Sequence, residues 1–257
     1  MLPVIRTGLS ASMQEIAVLT NNISNANSTG FKRSQTEFAD IYGATGDGKN
    51  LGLGARIMDP RRQHGQGAFK QTGGSLDVAI TGPGMFAIQN KLVSDEPLYT
   101  RNGSMSLDLE GKLINQDNAN YLDQNGNPIV VPFGVEKDDG SVANLSEVQV
   151  LADGQIIASY GPQITINVAK IGLVQFNDVT KLQAQGSNVF SETDASGEAR
   201  IGGAFENGAG SFQAGALEAS NVDMTSEMNF LIRAQQAFNG TSRLMQSEAE
   251  MVRRLIG

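Results

Sequence analysis

A chain of 257 residues with a net charge of −8, one histidine and no cysteine can bury one large or two modest cores, but it lacks the basic surface that phosphate neutralisation requires. Nucleic acid is therefore excluded as an expected partner, and disulfides, thiolate chemistry and metal sites on paired histidines are excluded outright. The 30 glycines beside a 40% apolar fraction point instead to turn-rich β structure.

The first element in chain order is a helix. Leu2, Leu9, Ile16 and Ile23 recur every seven residues, which lays an apolar stripe along one side of an α-helix. Leu19 joins the stripe and Ser12 interrupts it. The helix is expected from about Pro3 to Asn27, where Asn27-Ser28-Thr29-Gly30 is a stop signal with Gly30 able to take a left-handed cap. Arg6 and Glu15 are the only charges up to Phe31. A helix facing water carries a charged stripe opposite its core face, so this one is expected to be covered on more than one side.

From Phe31 to about Thr72 the periodicity fades into glycine-rich extended chain or short strands, including the run from Gly43 to Gly48 and a basic cluster of Arg56, Arg61 and Arg62 beside His64. Strands follow at Asp77 to Ile80 and Met85 to Ile88 across the turn Thr81-Gly82-Pro83-Gly84. Met105, Leu107 and Leu109 alternate up to Glu110-Gly111 and resume at Leu113, a hairpin pattern. Val148 to Val150, Ile156-Ile157 and Ile164 to Val168 complete a compact antiparallel β domain.

The last element is a second helix, capped by Asp223 and running to about Ile256. Met224, Leu231, Phe238, Met245 and Val252 recur every seven residues, and Met228, Ala249 and Ile256 are expected to widen that stripe. Gly240 in mid-helix costs about 1 kcal/mol relative to Ala and marks a bend or a close approach. The fold class expected is mainly β with long terminal α-helices that pair as a coiled coil around residues 1–32 and 218–257. An extended connector covers 33–72 and 206–217, and the central antiparallel β domain covers 73–205.

No constellation for catalysis is visible. His64 sits among Gly, Gln and Arg without an evident base or nucleophile partner, and the turn Asp123 to Asn127 lacks the twelfth-position Glu of a calcium loop. Thr81 to Gly84 lacks the Lys-Ser or Lys-Thr of a phosphate loop. No cofactor or metal is expected. No stretch approaches the roughly 20 apolar residues of a membrane span, and a Sec-type signal is absent, so any export is expected to proceed without signal cleavage.

Asn21-Asn22-Ile23-Ser24-Asn25-Ala26-Asn27-Ser28-Thr29-Gly30-Phe31-Lys32-Arg33 closely resembles the N-terminal signature of bacterial flagellar rod and hook proteins. Leu76 to Phe86, Tyr99 to Ser104 and Gly215 to Val222, with Ser220, Asn221 and Val222 at its end, agree with the same family in order. The resemblance implies a structural subunit of the basal-body rod, not an enzyme, whose partners are copies of itself, other axial flagellar proteins and the type III export apparatus. It implies that Leu2, Leu9, Ile16, Leu19 and Ile23 pack against Leu231, Phe238, Met245 and Val252, and that Asn21, Asn22 and Asn25 satisfy free carbonyls at a sharp chain reversal. Length and the Tyr99 to Ser104 segment look like the proximal rod, which is preferred, while Gly30 to Arg33 with Phe38 and Asp40 looks equally like the distal rod or hook. The rival classes are a β-rich cell-wall hydrolase with helical docking termini and an adhesin-like binding module.

Overall fold

The computed structural model describes residues 2–44, 50–90, 96–136, 142–161, 164–206 and 208–256. Helix α1 (Leu2–Ser24) and helix α2 (Met224–Ile256) bracket a series of short strands. The chain divides into two compact units. Met1–Ala26, Lys32–Gln63 and Val222–Gly257 form a helical unit, and Asn27–Phe31 with His64–Asn221 form a β unit.

In the helical unit α1 ends at Ser24, three residues before the expected Asn27, because the next turn is closed locally. The Asn25 amide donates to the carbonyls of Asn21 and Asn22 at 3.1 Å, and its side chain donates to the Asn21 carbonyl at 3.0 Å, which satisfies groups that a helix end leaves free. At the start of α2, Asp223 accepts from the Ser226 hydroxyl at 2.5 Å and the Thr225 amide at 3.2 Å. These bonds, that to Ser226 foremost, hold its carboxyl below the ordinary carboxylate range.

The two helices lie side by side and antiparallel. Asn22 meets Glu227 at 3.0 Å, and fourteen residues away on each helix a Cβ on Gly8 would stand 3.8 Å from Thr241. On α1, Ser12 and Leu19 are buried, and Leu9, Ile16 and Ile23 are half-buried. On α2 the covered row is Glu227, Leu231, Ala234, Phe238, Thr241, Met245 and Glu248, with Ser226 and Ser242 half-buried beside it; the row is spaced by alternate fours and threes as one helix face requires. Met228 and Ala249 are exposed, so the stripe widens on the side opposite to the expected one. The small side chains explain the choice: Ala234 and Thr241 permit the approach of a helix that presents Gly8 and Ser12.

The glycine-rich segment forms an antiparallel hairpin of Phe38–Ala44 and Asn50–Ile57 with a register shift after Ile41; the expected glycine run at 45–48 lies outside the described residues. The hairpin packs on α1. Gly54 takes φ +108° there, and a Cβ on it would fall 2.1 Å from the Thr7 hydroxyl oxygen, so only glycine fits.

The β unit is antiparallel throughout. Its largest sheet has nine strands, with Met85–Gln89 joined to Leu98–Thr100 on one edge and to both Asn120–Tyr121 and Leu173–Gln175 on the other. A four-stranded sheet follows the order Gly134–Glu136, Val142–Val150, Gln155–Tyr160, Ile164–Lys170. Met85 and Ala87 join Tyr99, Phe176 and Phe190 in one apolar cluster, and Phe86 and Ile88 join Tyr121, Ile156 and Phe212 in another. Successive side chains of a strand point to opposite faces, so a strand buried on both must be apolar at every position. Met85-Phe86-Ala87-Ile88 is such a run.

Candidate functional site

Two polar joints are built from the signature segments. In the β unit, Ala216–Glu218 is a strand paired with Phe69–Gln71, and its alternation turns Ala216 and Glu218 inward. Glu218, fully buried, meets Arg101 at 3.2 Å and accepts from the Gly67 amide at 2.9 Å. Arg101 also donates to the Gly82 carbonyl at 2.8 Å. Burial pulls the Arg101 guanidinium below its ordinary value, and the Glu218 carboxylate pulls it back up. Such a pair is tolerable inside a protein because further hydrogen bonds saturate it.

The end of the N-terminal signature docks beside this pair. The Gly30 amide donates to the Glu218 carbonyl at 2.8 Å, and the Asn188 side chain donates to the Thr29 carbonyl at 3.0 Å. Gly30 takes φ +68°, and a Cβ on it would lie 2.8 Å from the Asn102 nitrogen. Phe31 is buried, and its carbonyl accepts from the Asn221 amide at 3.4 Å. Four segments separated in sequence, 27–31, 80–82, 99–104 and 215–221, thus converge on one buried ion pair.

The second joint lies in the helical unit. Asn22 and Ser34 exchange two hydrogen bonds at 2.8 and 3.0 Å, and Asn22 donates also to Glu227 at 3.0 Å. The Arg33 guanidinium pairs with the other oxygen of Glu227 and lies 5.8 Å over the Phe230 ring. Glu227 is only 1% exposed. The joint ties the segment after α1 to the first turn of α2.

Of the expected site residues, Leu19, Asn22, Gly30, Phe31 and Lys32 are buried, while Leu9, Ile16, Ile23, Asn25, Ser220, Asn221, Val222, Leu231, Phe238 and Met245 are half-buried. Asn21 is exposed and contributes its backbone carbonyl. The Leu2 side chain lies outside the described residues. Val252 is exposed, because α2 continues past the level at which α1 begins. The basic cluster does not converge on a site. Arg56 is exposed on the hairpin, Arg61 faces Glu37 at 3.8 Å, and Arg62 is half-buried on a strand paired with Ser34–Gln35, where desolvation lowers its pKa. The turn at Asp123 is closed by its own side chain, which accepts from the amides of Asn125 and Asn127 at 2.8 Å.

Arg101 and Glu218 lie inside the recognised segments and Glu227 at the start of the last helix, but the sequence does not show that they and Asn188 carry the joints. The available signal was phase: Glu218 stands at an inward position of a strand, where an acid is costly unless it is paired.

Comparison with known proteins matches the same segments. The description "Flagella basal body rod protein" covers residues 2–32, "Flagellar hook protein FlgE/F/G D1 domain" covers 79–158, and "Flagellar basal body rod FlgEFG protein C-terminal" covers 213–257. The flagellar basal-body rod protein FlgG of Caulobacter vibrioides is 34% identical over 96% of this chain and 94% of its own. FlgG of Bacillus subtilis is 31% identical and FlgG of Agrobacterium fabrum 30% identical, each over 97% of this chain and 95% of its own. With likeness over nearly its whole length and three domain matches in the same order, the chain belongs to the flagellar basal-body rod protein family.

Proposed function

We propose that this protein is a structural, non-catalytic subunit of the bacterial flagellar rod, exported by the flagellar type III apparatus and polymerised with itself and other axial proteins into the shaft that transmits torque across the periplasm. The observation that carries this reading is the imbalance of the helical unit. Among the described residues its fully buried apolar side chains are Ala11, Leu19 and Ala234, while Met13, Phe38, Tyr42, Met228, Ile232, Leu244 and Leu255 are exposed. On this reading neighbouring subunits cover these side chains, and contacts repeated head to tail without ring closure generate a filament.

Within that reading, Leu9, Ile16, Leu19 and Ile23 interlock with Leu231, Phe238 and Met245 as a coiled coil that stiffens the axis, and dense packing around it carries torsion. The full-length relatives favour a FlgG-type member over the proximal rod, to which chain length and the Tyr99 to Ser104 segment point. The hydrolase alternative needs two carboxyls converging in one pocket, whereas Glu15 is the one acid among the residues lining its groove.

Electron microscopy and sedimentation of the purified full-length protein over a concentration series test the reading. Helical oligomers at high concentration, with protease-sensitive termini in dilute monomer, are expected. A protein that stays monomeric at every concentration with protease-resistant ends would overturn it.

A further inference from the structure

A groove of about 220 Å³ runs along the helical unit between Val18 and Leu19 of α1, Phe38 of the hairpin and Phe230 of α2. Glu15 lines it. Partial burial raises the pKa of this carboxyl, and among the described residues no group donates a hydrogen bond to it. Arg33 on the same wall is engaged by Glu227. The groove therefore offers one unmatched negative charge between aromatic walls.

The opposite chemistry stands at the far end of α2. The register that sets Asn22 beside Glu227 and Gly8 beside Thr241 places Leu2 level with about residue 247, so α2 overruns α1 by about nine residues, or about 13 Å. On that overhang Met251, Arg254 and Leu255 share one face by their spacing of three and four. Met251 is 52% and Leu255 85% exposed. Arg254 is exposed and has no ion-pair partner among the described residues.

The geometry points to the α2 tip of a second copy as the occupant of this groove, with the Arg254 guanidinium on the Glu15 carboxylate and Met251 and Leu255 against Phe38 and Phe230. A guanidinium is suited to such a place because its plane stacks on aromatic rings while its fork pairs with a carboxylate. Within one chain the contact is out of reach, since about twenty residues of helix, about 30 Å, separate Arg254 from the level of Glu15. The contact therefore joins copies head to tail, and it rests on the polymerising role proposed above.

Charge reversal in the full-length protein tests it. Glu15→Arg and Arg254→Glu are each expected to raise the concentration needed for assembly about tenfold, and the two together to restore it to within about threefold. Single variants that assemble like the wild type, or a double variant no better than the worse single, overturn the groove. Because the chain has no cysteine, Glu15→Cys and Arg254→Cys carried by separate full-length chains offer a second readout, which does not depend on the fold tolerating a reversed charge on α1. Because a paired glutamate and arginine keep their Cα atoms beyond the limit of about 7 Å for a disulfide, the chains are mixed at assembling concentration with a bis-maleimide long enough to span both side chains; a cross-linked heterodimer is expected, and its absence overturns the contact. A wild-type protein that never assembles removes the rod reading together with the groove, whereas normal assembly indifferent to these changes removes the groove alone.

Discussion

In the β unit Phe86, Tyr99, Tyr121, Tyr160 and Phe190 are sealed on every side, while among the described residues of the helical unit the buried apolar side chains are one leucine and two alanines. Both units carry apolar stripes of ordinary strength. The difference lies in what covers them. The β unit closes two sheets over its own side chains, so its stability is internal. The helical unit holds its geometry with polar joints and leaves large apolar side chains exposed; on the reading proposed above other molecules cover them, the condition under which binding and stability are linked.

The sharpest way to break the comparison is to damage the self-sufficient unit. Arg101→Met strands Glu218 as a buried charge and should cost about 3–5 kcal/mol in urea unfolding; adding Glu218→Gln should recover much of it. Gly30→Val forces a branched side chain into positive φ against the Asn102 backbone and should cost about 3 kcal/mol. Assembly should fall further than secretion, and equal loss of both would assign Gly30 to recognition by the export apparatus. In the other unit, Glu227→Gln weakens the grip on Asn22 and Arg33 by about 2 kcal/mol. Hydrogen exchange should then quicken in α1 and α2 and stay unchanged in Met85–Gln89; parallel quickening in both places would show that the two units share one cooperative core. The smallest effect is a gain: Gly240 is exposed with open space where a Cβ would sit, so Gly240→Ala should stabilise α2 in dilute protein by about 1 kcal/mol, read by circular dichroism.

The apolar periods of the chain were legible wherever a side chain existed to carry them. Strand alternation at Ile164–Lys170, the strand Met85 to Ile88 and the boundaries of α2 could all be read directly. The hairpin Phe38–Ala44 with Asn50–Ile57 could not, because Leu51-Gly52-Leu53-Gly54 has glycine where the second face should show a side chain. The choice of stripe on α2 was also hidden, since Ala234 and Thr241 matter for the space they leave and not for their hydropathy. The signature was recognisable as a string, but its reason was not. Arg101, Glu218 and Glu227 look like surface charges until the fold brings them to Gly30, Asn22 and Arg33.

The unequal arms of the helix pair have a consequence for growth. Because α2 outlasts α1 at one extremity only, the two extremities of the helical unit are chemically unlike, one a bare amphipathic spike and the other flush. Any column of such subunits has a direction, and fresh subunits meet a different surface at its leading and trailing tips. Elongation should therefore proceed at unequal speeds from the two, which gives the shaft a polarity without a separate part to impose it.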